Sequence, residues 1–153
     1  MGSRSSRLRA VFDALIRAET EVWSDVDAEL TAACGIPLHR FEPMSVIAST
    51  PDCRVADVAD ALAITRGGAS KLVERIRADG LCVRVANPDD GRSAFFVLTP
   101  AGAAALDRAR SVFDAALARR IGGRLDDEAL RRLEGDLQAL RRAPSDGREE
   151  RTR

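Results

Sequence analysis

Aromatic residues make up only 4% of this 153-residue chain, and histidine and lysine occur once each, at His39 and Lys71. A single histidine leaves no metal-ligand cluster, and neither a nucleophile elbow nor a phosphate loop closing in Lys-Ser/Thr is present. Acid–base and nucleophilic chemistry therefore lack their parts. The chain is expected not to be an enzyme and to carry no metal and no cofactor. No run of about 18 apolar residues exists, so no membrane span is expected. The first ten residues, MGSRSSRLRA, lack the apolar stretch of a secretion signal. The cysteines, Cys34, Cys53 and Cys82, are odd in number and without zinc-site spacing, which points to a reduced, cytoplasmic compartment. Net charge is zero, which excludes a chain basic throughout but not a local basic patch. With so few aromatics, the core must come from Leu, Val, Ile and Ala, and the alanine favours helix. The arginine-rich, lysine-poor usage suits a GC-rich bacterial genome.

Apolar residues then fall at helical spacing. Leu8, Phe12, Leu15, Val22, Val26, Leu30 and Ala33 mark one face of a long helix over residues 8–34, ended by Gly35-Ile36-Pro37. A second helix fits Leu38 to Ser49. Val55, Val58, Ala59 and Leu62 make a short third helix, Ala63-Ile64 a turn, and Thr65 an N-cap for a fourth whose inner stripe is Ala69, Leu72, Val73 and Ile76. Asp79-Gly80 close it. Leu81, Val83 and Val85 alternate on an outbound strand and Phe96 and Leu98 on the return, around the corner Pro88-Asp89-Asp90-Gly91. Thr99-Pro100 reads as N-cap and first position of a helix running to about Ile121, broken at Gly122-Gly123. Asp126 opens a last helix striped by Leu130, Leu133, Leu137 and Leu140.

Two short helices, a tight turn and a following hairpin make a winged helix-turn-helix, so the expected fold is mainly α with a small β-wing. The reading is a DNA-binding lobe over residues 37–99, dimerisation helices over 8–36 and 100–142, and a disordered polar tail over 143–153. The striped terminal helices need a partner, and a two-fold homodimer supplies it. In such a motif the second helix enters the major groove of double-stranded DNA and the wing reaches the backbone or the minor groove. Thr65, Arg66, Gly67, Gly68, Ser70 and Lys71 lie on its exposed first turns, where Arg, Lys and Ser can read base edges. Gly67 and Gly68 each cost helix stability, about 1 kcal/mol against Ala, and permit close backbone approach. Arg75 and Arg77, further along, suit phosphates. Arg92 at the wing tip suits a narrow minor groove, with Asp90 orienting it. Arg54 reads as solvated or as a phosphate contact.

The segment TRGGASKLVERIRADGL and the following PDDGRSAFFVLTPAG resemble the MarR family of bacterial transcriptional regulators. That family's wing carries Asp-x-Arg, an apolar-Leu-Thr step and a glycine three residues on. Here these are Asp90, Arg92, Val97-Leu98-Thr99 and Gly102. Gly91 departs from the pattern, standing where the family more often has a second arginine. The resemblance spans about residues 8–142. It implies a homodimeric regulator, most often a repressor, answering a small aromatic effector or an oxidant. The implied effector crevice is lined from the first, second and fifth helices. Trp23, His39, Phe41, Met44 and Phe113 fall in those segments and suit a small apolar acid, although Trp23 and Phe113 also suit plain core. For an oxidant, Cys53 beside Arg54 is the best placed of the three thiols. A winged helix converted to a protein-interaction module is the remaining alternative.

Overall fold

The computed structural model describes residues 2–87 and 94–141. It is mainly helical with one two-stranded antiparallel sheet, as the periodicity predicts. It divides into a larger unit, Met1–Ala116, and a smaller one, Leu117–Arg153.

The larger unit begins with α1 (Gly2–Cys34), which starts earlier than the apolar stripe that identified it. Its C-terminal half buries Val26 and Leu30, whereas Leu8, Phe12 and Leu15 on the same stripe are exposed. Helix α2 (Leu38–Ser49) follows Pro37, which has no side chain able to cap it. The cap comes instead from α1: the Leu38 N–H donates to Asp27 Oδ1 at 2.7 Å. Helix α3 (Val55–Ala61) closes through bonds from the Ala63 N–H to the Asp60 carbonyl and from the Ile64 N–H to the Ala59 carbonyl. That closure holds Ala63 at φ 53°, where a Cβ is disfavoured. Helix α4 (Arg66–Ala78) is the second helix of the motif. The most fully buried side chains at its back are Leu30, Met44, Val58, Val73, Ile76 and Leu106, and the core also takes in Phe41, Phe96, Cys53 and Cys82.

Strands β1 (Cys82–Ala86) and β2 (Ala94–Leu98) form the wing, in a register that pairs Cys82 with Leu98, Arg84 with Phe96 and Ala86 with Ala94. The Phe96 N–H donates to the Cys53 carbonyl at 2.8 Å, tying the wing to the segment before α3. The expected outbound face is reversed. Cys82 and Phe96 face the core, while Val83, Val85 and Val97 are exposed. Leu81 is taken up in closing α4, so the strand starts one residue later, and a one-residue shift turns every side chain over.

Helix α5 (Pro100–Leu117) starts at the expected cap, Thr99. In the smaller unit the backbone widens into a π-helical turn over Ala118–Gly122 before Gly123, so the helical course ends where the two glycines predict. Helix α6 (Asp127–Leu140) is capped by Asp126, whose Oδ1 accepts the Ala129 N–H at 2.8 Å. Asp127 and Glu128 suit the positive end of its dipole. Its Leu133, Leu137 and Leu140 are exposed. Among the described residues no helix is long and apolar enough to cross a membrane.

Candidate nucleic-acid interface

Helix α4 buries Ala69, Val73 and Ile76 and turns Arg66, Gly67, Ser70, Lys71 and Arg75 outward. The Thr65 hydroxyl accepts the Gly68 N–H at 3.1 Å, the N-cap expected of it. The two glycines differ in kind. A Cβ at Gly68 would stand 3.2 Å from Thr65 Oγ1, so Gly68 belongs to the cap; a Cβ at Gly67 would meet nothing. Among the described residues nothing requires glycine at 67.

The far end of α4 is held from four directions. The Gly80 N–H donates to the Arg77 carbonyl and the Leu81 N–H to the Ile76 carbonyl, with Gly80 at φ 73°. Asp79 pairs with Arg40 of α2 at 2.7 Å. The Thr99 hydroxyl donates to the Gly80 carbonyl at 2.8 Å while accepting the Gly102 N–H at 3.0 Å. Finally, Gly102 packs so closely that an added Cβ would lie 1.9 Å from the Leu81 carbonyl oxygen. Thr99 and Gly102 thus fix the recognition helix to α5, a role their spacing alone does not disclose.

Beside α4 lies a cleft of about 450 Å³ lined by Arg54, Arg66, Ser70, Glu74, Arg84 and Phe96 among others. Three guanidinium groups around one carboxylate make it electropositive. Arg54 is steadied there over the Phe95 ring, 5.3 Å from its centroid. Arg84 went unnoticed in the sequence; its place on a strand, in phase with Phe96, is the signal that would have found it. Arg77 pairs with Glu74 at 2.9 Å within α4 itself, and both side chains are about half exposed. Asp90 and Arg92 lie outside the described residues.

The five expected effector residues do not converge within the chain. Phe41 and Phe113 stack, ring centroids 4.6 Å apart and tilted by 31°. They line an open groove of about 430 Å³ with Glu42, Ser45, Val46, Leu62, Arg110 and Asp114. Met44 is fully buried in the core, because it stands on the inner side of α2. His39 is exposed. Trp23 borders a separate hollow on α1 with Glu19, Thr20, Ser24 and Asp27. Sequence reasoning gave the groove its two rings and missed its charged rim.

Residues 29–93 match the model of the MarR family. Over that stretch the chain is similar to the MarR family. The match spans α2, α3, α4 and β1 together with the cleft arginines Arg54, Arg66 and Arg84. Members of that family are transcriptional regulators rather than enzymes. No curated protein matches the sequence. Among solved structures, the MarR family regulator Sco3205 of Streptomyces coelicolor, in complex with DNA, is 25% identical, with a TM-score of 0.80 over 86% of this chain and 87% of that one. A mutant of Escherichia coli MarR bound to operator DNA is 16% identical at a TM-score of 0.79, covering 88% and 95%. BpsR of Bordetella bronchiseptica, whose DNA binding is regulated by 6-hydroxynicotinic acid, is 21% identical at 0.79, covering 88% and 94%. The last two share the fold.

The thiols correct one expectation. Cys53 and Cys82 are buried, and burial, aided by Asp57 at Cys53 and Glu74 at Cys82, pushes both thiols up to about 11. Arg54 does not activate Cys53. An oxidant sensor needs an accessible thiolate, and at neutral pH neither thiol supplies one.

Proposed function

We propose that the chain is a homodimeric, ligand-responsive transcriptional regulator, acting as a repressor on a pseudo-palindromic operator. The supporting observation is the exposed, basic, capped first half of α4, flanked by Arg54 and Arg84 and lying inside the family match. In this reading Arg66, Ser70 and Lys71 meet base edges in the major groove. Thr65 and the free first N–H groups of α4 meet a phosphate. Gly67 admits the sugar-phosphate backbone, Arg75 contacts phosphate, and Arg92, oriented by Asp90, enters the minor groove. Residues 37–99 form the reading lobe. Residues 8–36 and 100–142 form the dimer lobe, in which the bare stripes of α1 and α6 each find a second copy. Double-stranded DNA, the second subunit and a small aromatic effector are the partners, in the cytoplasm.

Mobility shift on the DNA upstream of the chain's own coding sequence, across a salt series, tests this. A specific complex of two chains per site is expected. Its affinity should fall by about 0.9 log unit per log unit of salt for each phosphate neutralised. Arg66→Ala should cost about 1–3 kcal/mol at one base pair of each half-site. A well-folded dimer without specific binding, there or after selection from random sequence, would overturn the reading.

A further inference from the structure

The groove beneath Phe41 and Phe113 carries information about charge as well as shape. The ring pair lines it, with Phe41 buried and Phe113 half-buried. Its rim holds two carboxylates, Glu42 and Asp114, and one guanidinium, Arg110. The guanidinium is already engaged: Arg110 pairs with Asp107 one turn back at 3.3 Å. Neither Glu42 nor Asp114 has an ion-pair partner among the described residues. Ser45, also lining the groove, has a buried hydroxyl oxygen with no hydrogen-bond partner among the described residues. A groove lined by two aromatic rings, two carboxylates without an ion-pair partner among the described residues and a buried hydroxyl is complementary to a planar ligand that carries positive charge and N–H donors.

We propose that this groove binds a small planar aromatic cation, an amidinium or a protonated amine on an aromatic ring, and not the aromatic acid that ring content alone suggests. The ring lies against Phe113, where the π-face attracts positive charge. The N–H groups donate to Glu42 and Asp114. The half-buried Glu42 carboxyl is held above its ordinary range by desolvation, and a bound cation offsets that cost. That the occupant acts as the effector rests on the regulator reading; that it binds does not.

The test uses the full-length chain and two probes of similar shape and opposite charge, benzamidinium and benzoate, titrated calorimetrically at neutral pH without DNA. Benzamidinium should bind at least tenfold more tightly than benzoate. Glu42→Gln and Asp114→Asn, both nearly isosteric, should each weaken benzamidinium at least fivefold and leave benzoate unchanged. Arg110→Gln should leave the benzamidinium preference intact. Benzoate binding as tightly as benzamidinium, or benzamidinium binding unaffected by both carboxylate variants, would overturn the proposal. Circular dichroism melts exclude unfolding as the cause of a loss. Operator binding by the wild-type chain is measured separately, so failure of the regulator reading appears there and not in this titration.

Discussion

The two ends of α4 are built to opposite specifications. At the C-terminal end, two neighbouring elements take part in holding it: α2 through Arg40, and the start of α5 through Thr99 and Gly102. At the N-terminal end there is one side-chain cap, two glycines and a row of solvated basic residues. A helix fixed at one end and bare at the other is a projecting element whose direction is set by the fold and whose tip is left for something else to touch. The end rich in contacts should govern stability, and the bare end should govern affinity.

The harshest way to break the fixed end is Gly102→Ala. The new Cβ meets a backbone carbonyl, which cannot rotate away, so either α5 or the turn after α4 must shift. Overpacking of this kind costs about 1–3 kcal/mol, and the upper part of that range is expected in chemical denaturation. A loss below about 0.5 kcal/mol would show that the joint is soft. Thr99→Val is milder. It keeps the shape and removes the cap on Gly102 together with the bond to the Gly80 carbonyl. About 1–2 kcal/mol should be lost, more than an ordinary N-cap because two helix termini are affected.

The sequence made one end of this comparison legible and not the other. Thr65, Gly67, Gly68 and Lys71 are local signals: a cap, two helix-weakening residues and a charge, each readable within one turn. The clamp at the other end joins residues some twenty positions apart, and Thr99 appears in the sequence only as a local cap. The Asp27 cap on α2 was hidden for the same reason, since helix caps are sought next to the helix they close. The wing register failed because apolar alternation gives a period but not a phase, and the phase was set by Leu81 closing α4. The groove was half legible. Rings at 41 and 113 could be nominated by type, whereas Glu42, Ser45 and Asp114 became lining residues only through the packing of α2 against α5.

Gly67→Ala sharpens the comparison because stability and affinity should move in opposite directions. The added methyl meets nothing, so the helix should gain up to about 1 kcal/mol, less if its first turn frays. If the bare tip approaches a DNA backbone, the same methyl should weaken operator binding several-fold. A variant that melts higher and binds equally well would leave Gly67 without a role in approach.

The smallest effect is expected where the eye is first drawn, at the Arg40–Asp79 pair. The contact is short, but the side chains are 32% and 41% exposed, so solvent screens much of the attraction. Two further terms oppose each other. Arg40 sets a positive charge by the negative end of the α4 dipole, which helps. Yet its Nε is buried without a partner among the described residues, which costs desolvation with no bond in return. Arg40→Met keeps the apolar stem and removes both terms, so stability should change by less than about 0.5 kcal/mol in either direction. Asp79→Asn should lose more than Arg40→Met, because it leaves the guanidinium without its partner. If Arg40→Met instead matched Thr99→Val in cost, the fixed end of α4 would be an electrostatic joint. If it is neutral, the joint is made by hydrogen bonds and close backbone packing, and Arg40 only completes it.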